Sequence, residues 1–242
     1  KSYKDKRIRY YYAQNHTNLY FARQEAIKKT KGEFIAFLDV DDYWLNNNLE
    51  KQLKLFEDLE VGFVTSNFLL KLEEKNKIIY QAKTNYKSGS NLSNLLKNYR
   101  IGLLTLIIRK TYILKLDFVF DVRYHFIGDF DMVIRLSAIS KMGRSNENLS
   151  VYRIHKNNES LNDLERQISE IELWYSDMKV NKTIYNNKNF IFVYYKILYL
   201  RGMKHILNNQ RYKVLYYVFR IPYNKLRLKL FLALLIPLNI LK

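Results

Sequence analysis

Asp39-Val40-Asp41-Asp42 places three carboxylates within four residues, directly after the continuous apolar run Phe34-Ile35-Ala36-Phe37-Leu38. The run has the length and content of a central strand buried on both faces of a parallel sheet. In open α/β sheets, ligands bind beyond the carboxyl ends of strands. At about 4 Å, each unscreened pair of such carboxylates costs roughly 4 kcal/mol at an effective dielectric near 20, a cost that a divalent cation removes. Oxygen ligands suit Mg²⁺ or Mn²⁺, which keep positions open for phosphate oxygens, so the natural reading is a metal-diphosphate site. Taken alone, the same cluster also reads as a solvated acidic turn with Asp42 capping the next helix. A calcium-sensing loop is excluded: Tyr43 stands where that loop needs an oxygen ligand and Trp44 where it needs glycine. Further on, Asp129 opens an amphipathic segment, where a carboxylate also serves as a helix cap, and Asp131 and Arg135 are spaced to pair along one helix face.

The elements that must position these residues alternate. Ile8 to Tyr12 predicts a strand, and Asn18 then caps a helix with Leu19, Ala22, Ala26 and Ile27 on one face, stopped at Lys31-Gly32. After the carboxylates, Asn46 to Asp58 predicts a helix with Leu49, Leu53 and Phe56 inward and Glu50 four residues before Lys54. Val61 to Thr65 follows as a strand. This alternation predicts an α/β fold with a parallel sheet and helices on both faces. Beyond it, Leu69 to Tyr80 reads as a hairpin through Glu73 to Asn76, Leu92 to Tyr99 as a short helix and Leu103 to Ile108 as a strand. Gly128 to Ser140 reads as a helix striped by Phe130, Val133, Ile134 and Ala138, and Asn148 to Ile154 as a strand. From Leu161 the pattern is helix after helix. No Asp or Glu follows Asp177, while 13 Lys or Arg residues do, so positive charge gathers at the C-terminal end.

Several segments in order carry a resemblance. They are Ala22-Arg23-Gln24-Glu25-Ala26-Ile27, then Lys31 through Trp44, then Leu49-Glu50-Lys51-Gln52, then Gly128 through Leu136, then Leu149 through His155 followed by Asn158 and Ser160. Over roughly residues 7 to 160 this resembles a bacterial family-2 glycosyltransferase of the GT-A type. The resemblance implies a nucleotide-diphospho-sugar transferase with a Rossmann-like mixed sheet, lacking its first strands here and followed by a helical C-terminal tail. It also implies a division into a catalytic domain over 1–160 and a basic helical region over 161–242.

By the same resemblance the nucleotide-sugar donor is held by Arg23, Asp39, Asp41, Asp42, Thr105 and His155. Mg²⁺ or Mn²⁺ is held by Asp41, Asp39 and His155. Asp129 is the general base that takes the acceptor hydroxyl's proton in an inverting transfer, a role that needs hydrogen-bond reach and a rigid mount. Gln24 replaces the usual Asn after the helix Arg, and Gly128 replaces the usual acidic residue before Asp129. The family's opening strand with a Pro-Thr-Tyr-Asn type turn and its Val-Asp-Asp-Gly-Ser type turn are not found, so the sequence reads as a truncated frame or a fragment with an exposed sheet edge. The implied acceptor is a glycan or lipid-linked hydroxyl, and the implied setting is cell-surface polysaccharide or lipopolysaccharide assembly.

Composition bounds these expectations. The 242 residues are 48% apolar, which suits one core and an appendage. A formal charge of +18 requires an anionic partner of some kind: nucleic acid, membrane lipid or phosphorylated substrate. The absence of cysteine excludes disulfides, thiolate metal sites and cysteine nucleophiles and sits with a cytoplasmic location. No targeting segment opens the chain at Lys1 to Tyr12. The run from Leu226 to Leu241, interrupted by Pro237, is too short to span a bilayer. It reads as an interfacial helix on the inner face of an anionic membrane or as a helix packed on the catalytic domain. Two rival functions stand beside the enzyme: a non-catalytic remnant of the fold, and a nucleic-acid-binding protein built on the interleaved basic and aromatic residues of the C-terminal third.

Overall fold

The computed structural model describes residues 4–13, 17–156 and 163–237. Helix α1 (Leu19–Lys29) starts where Asn18 accepts a 2.7 Å hydrogen bond from the Phe21 backbone N–H, and it ends at Thr30, whose hydroxyl donates to the Ile27 carbonyl at 2.7 Å. Its buried residues are Tyr20 and Ile27, while Leu19, Ala22 and Ala26 face solvent, unlike the expected stripe. The reason is aromatic: Tyr20 stacks on Phe120 at 5.2 Å, and one ring buries more area than two alanines. Ile8 to Tyr12, expected as a strand, has no sheet partner among the described residues and no strand conformation, because an extended segment needs a neighbour to take its hydrogen bonds.

Six strands form one mixed sheet: β1 (Phe34–Ala36), β2 (Tyr43–Trp44), β3 (Val61–Leu72), β4 (Lys77–Ala82), β5 (Ile107–Arg109) and β6 (Lys141–Ile154). The order is β1-β5-β3-β6-β2, with β4 continuing along β3 beyond β5. Only β3 and β6 pair in parallel, so the expected parallel sheet reduces to that central ladder and its other pairings are antiparallel. Strand β1 lies at the edge and alternates, with Ile35 and Phe37 buried and Ala36 and Leu38 exposed, rather than being buried on both faces. The hairpin between β3 and β4 turns at 73–76, where Asn76 takes φ 46°. The expected strand over 103–108 begins instead as a 3₁₀ turn, Leu103–Thr105, and becomes β5 only at Ile107.

Helix α2 (Asn48–Leu53) continues as a 3₁₀ turn over Lys54–Phe56. It docks through Asn48, Gln52 and Phe56, leaving Leu49 and Leu53 exposed. Amides replace the expected leucines because the facing surface is backbone: Asn48 Nδ2 donates to the Leu149 carbonyl at 2.6 Å, and Gln52 Nε2 to Asn48 Oδ1 at 2.9 Å. Glu50 and Lys54 pair at 2.9 Å as their spacing predicts. Between the strands lie α3 (Leu92–Lys97), α4 (Lys110–Ile113) and α5 (Gly128–Ser137), the last almost wholly buried.

The C-terminal part is helical: α6 (Leu164–Asp177), α7 (Lys182–Tyr185), α8 (Ile191–Leu207), α9 (Val214–Arg220) and α10 (Lys225–Leu235). Core packing continues across residue 160. Trp174, Ile184, Phe190 and Val193 belong to the same core cluster as Tyr20, Phe63 and Leu106, whereas Leu198, Ile206, Val214, Val218, Ile221 and Leu230 form a second cluster. A Cβ at Gly202 would lie 2.7 Å from Leu230, so glycine there lets α10 lie close on α8. Helix α10 thus packs on its neighbours through Leu230 and Ala233 while Leu228, Phe231, Leu232 and Leu235 stay exposed. The remainder of the expected helix, 238–242, lies outside the described residues. Among the described residues no helix is long and apolar enough to cross a membrane.

Candidate active site

The loop 39–42 joins β1 to β2, and β6 holds it from the other side. The Arg153 backbone N–H donates to Asp42 Oδ1 at 3.0 Å, and the Arg153 guanidinium donates to the Asp41 and Val40 carbonyls. Two residues further, His155 Nε2 meets Asp41 Oδ2 at 2.9 Å. Segments more than a hundred residues apart are therefore docked side chain to loop, which brings together two of the residues named from sequence as metal ligands. Asp42 is buried, and burial raises its pKa from 3.8 to about 6, with the Asp41 and Asp39 charges adding to the effect of burial. Its contact with the Arg153 backbone makes it the strut of the loop, while Asp39 and Asp41 remain partly open to solvent.

Asp39 accepts a 2.5 Å hydrogen bond from Arg23 of α1, whose side chain is mostly buried. The Arg23 guanidinium lies 5.5 Å from the centre of the Tyr20 ring, one helical turn earlier. Tyr20 Oη in turn donates to Asp129 Oδ1 at 3.4 Å. Helix α1 thus runs a line of contacts from the first carboxylate of the loop to the carboxylate that opens α5. Gly128 is fitted to this line: a Cβ there would lie 2.8 Å from the Tyr20 ring. The departure from an acidic residue at 128 therefore belongs together with the tyrosine at 20.

Asp129 is half-buried, and desolvation drives its pKa above the ordinary carboxylate value, opposed by the Phe130 backbone N–H, by the positive charge of Arg23 and by the Tyr20 hydroxyl. Tyr20 itself is raised, first by burial and then by the Asp129 charge, so its hydroxyl stays protonated and available as a donor. The loop before Asp129 is pinned by Glu170 of α6, which accepts the backbone N–H groups of His125 and Phe126 at 2.8 Å each and of Ile127 at 3.3 Å. Behind it, Asp131 and Arg135 form the buried pair that their spacing predicts, at 2.5 Å. Arg135 also donates to the Phe118 and Val119 carbonyls, and Trp174 Nε1 donates to Asp131 at 3.0 Å. That pair ties α5 to α6.

Thr105 does not join these groups. It is fully buried, its hydroxyl 2.7 Å from that of Thr65 and donating to the Gly102 carbonyl at 2.7 Å, so it braces β3 against the 3₁₀ turn. Asn158 and Ser160 lie outside the described residues. Arg153, Tyr20 and Glu170 were not assigned roles from sequence. Arg153 stood inside a recognised motif, whereas Tyr20 and Glu170 act through long-range contacts that no local pattern announces. Among the described residues no group of three or more His, Asp or Glu side chains is arranged around one cation position. Asp41 offers a carboxylate, the kind of donor that shares Mg²⁺ or Mn²⁺ with substrate phosphates, and His155 adds an imidazole nitrogen beside it.

Residues 1–114 match the model of glycosyl transferase family 2. The Escherichia coli protein WfgD, a UDP-Glc:alpha-D-GlcNAc-diphosphoundecaprenol beta-1,3-glucosyltransferase, is 35% identical over 99 residues, 41% of this chain and 38% of its own length. WfaP, a second E. coli enzyme of that description, is 28% identical over 152 residues, 62% of this chain and 57% of its own length. The chain therefore spans less than two thirds of each. Among solved structures, S. aureus TarS superposes with a TM-score of 0.51 at 15% identity, over 87% of this chain and 39% of that one. Residues 1–114 carry the match to glycosyl transferase family 2, and the chain takes the GT-A fold of that family.

Proposed function

We propose that the protein transfers a sugar from a nucleoside-diphosphate donor to an acceptor hydroxyl with inversion, in the building of a cell-surface polysaccharide. The observation that carries this reading is the line Asp39, Arg23, Tyr20, Asp129, which joins a loop suited to a metal diphosphate to a half-buried carboxylate of raised pKa. At the donor end, Asp39 and Arg23 orient the nucleotide, and Asp41 with His155 would hold Mg²⁺ or Mn²⁺ against its diphosphate. The cation, when bound, neutralises charge that develops on the departing diphosphate. At the acceptor end, ionised Asp129 takes the hydroxyl proton as the oxygen forms its bond to the anomeric carbon. The carbon–oxygen bond to the diphosphate breaks on the opposite face and its electron pair leaves with the nucleotide. The names of WfgD and WfaP support a UDP-sugar donor and a lipid-diphosphate acceptor, and that of the putative teichuronic acid biosynthesis enzyme TuaG of Bacillus subtilis supports the polysaccharide setting.

The exposed Phe219, Leu228, Phe231, Leu232 and Leu235, interspersed with Lys and Arg, support peripheral attachment to an anionic membrane face from the cytoplasmic side. The domain reading places catalysis in 1–160 and this attachment in 161–242. Calorimetric titration of UDP and UDP-sugars with Mn²⁺, on the chain and on Asp41→Ala, tests the proposal. Metal-dependent binding that the variant loses supports it. A folded chain that binds no nucleotide with or without metal returns the protein to the reading of a non-catalytic remnant.

A further inference from the structure

A cavity of about 790 Å³ opens where α3, α5, α8 and α10 meet, and Asp129 lies in its wall. The loop carboxylates Asp39, Asp41 and Asp42 do not line it, so it is distinct from the donor end. Its charge is one-sided. Lys97 and Arg100 come from the end of α3 and the residue stretch after it, Lys196 from α8, and Lys225 and Lys229 from successive turns of α10, against Asp129 as the lone carboxylate. None of these five cations forms an ion pair with a carboxylate of the described residues, although Lys204 and Arg201 nearby are both paired to α6. Lys196 is exposed toward the cavity, and partial desolvation there together with the charge of Lys229 lowers its pKa. Like charges held together without a counterion oppose folding, and an anion seated among them relieves that cost.

The rest of the lining is apolar: Leu95, Phe126, Phe130, Phe192, Val193 and Leu226 are the main contributors. Free nucleotides or polyanions do not need such walls, and a neutral sugar needs neither the walls nor the lysines. The geometry points to a binding site for an acceptor that carries a diphosphate on an apolar chain, with Lys196, Lys225 and Lys229 on the diphosphate, the aromatic wall on the chain and the acceptor hydroxyl directed to Asp129. Helices α8 and α10 are then part of the acceptor site, beyond any role in membrane attachment. This inference rests on the reading of Asp129 as the acceptor-facing base, but its site exists whether or not a donor binds.

The test is equilibrium binding of farnesyl diphosphate to the full chain below its micelle concentration, with inorganic pyrophosphate, farnesol and short-chain phosphatidylglycerol as comparisons. The expected result is binding at least about tenfold tighter for farnesyl diphosphate than for each comparison, with that advantage lost in Lys196→Gln/Lys229→Gln, since hydrogen bonds to charged groups contribute about a factor of ten or more each. UDP should not compete, and the double variant should keep whatever UDP affinity the parent has. Farnesyl diphosphate should also protect Lys196 and Lys229 of the unmodified chain from acetylation, a measurement that does not depend on the variant folding. Absence of protection, equal affinity for phosphatidylglycerol or pyrophosphate, or displacement by UDP overturns the inference. Failure of UDP to bind while lysine-dependent farnesyl diphosphate binding persists overturns the donor reading alone.

Discussion

At the scale of single residues, Asp129 and its neighbours make the sharpest predictions. Asp129→Asn should lower the transfer rate by about 10²- to 10⁴-fold with UDP affinity unchanged, read by product formation beside calorimetry. The base acts ionised and burial raises its pKa, so the rate should climb with pH along a limb above the ordinary carboxylate range. Tyr20→Phe removes a hydrogen bond that favours the ionised form, and the limb should then move to higher pH, visible in the pH profile of kcat/KM. Gly128→Ala drives a methyl group to within 2.8 Å of the Tyr20 ring and should cost about 1–3 kcal/mol in chemical unfolding, the range for overpacking a filled site. The spacing of Asp39, Asp41 and His155 was legible because each belongs to a motif with its own residues. Thr105 was placed at the donor by the overall resemblance, and in the structure its hydroxyl bonds to Thr65 and Gly102. A strand pattern alone does not tell which way a threonine points.

At the scale of elements, the amphipathic readings succeeded where the facing surface is apolar and failed where it is polar. The stripe of α5 packs inward because it meets Trp174 and the sheet. Helix α2 keeps Phe56 inward but turns Leu49 and Leu53 out, because it meets the backbone of β6, and amides satisfy carbonyls that leucines would strand. Register and strand order were not legible either, since the pairing of β1 with β5 and of β3 with β6 depends on partners far along the chain. The contact between α5 and α6 gives this scale its prediction. Asp131→Ala leaves the Arg135 guanidinium buried without its carboxylate and should destabilise the chain by about 3–5 kcal/mol, followed through Trp174 fluorescence in urea. Arg135→Met with Asp131→Leu should recover much of that loss, because removing both charges together leaves none uncompensated.

At the scale of the molecule, the outer side of β1 and the outward face of α1 set the behaviour in solution. Among the described residues β1 pairs only with β5, while Leu19, Phe21, Leu38 and Val40 are exposed around it. An open edge beside apolar side chains templates association, so the isolated chain should self-associate in the micromolar range, and Ala36→Lys with Phe21→Lys should reduce it in light scattering without altering the circular dichroism. The overall α/β class and the helical C-terminal part were legible from periodicity. The way α6 to α8 share the main core was not, because a change of pattern at residue 161 marks a change of element type and carries no information on what those elements pack against.

The docking of the 39–42 loop onto β6 also has a consequence in time. Asp41 and His155 are separated by 114 residues. At a synthesis rate of about 5–20 residues per second, the loop waits roughly 6–23 s for its partner to be made. The central ladder of β3 and β6 is subject to the same delay, and non-local parallel pairing is slow even once both strands exist. Throughout that interval the nascent chain holds its acidic loop without the Arg153 clamp and β3 without its full-length neighbour. The loop therefore matures only once β6 has been made, and a slowing of translation after β6 would favour its assembly more than one placed earlier.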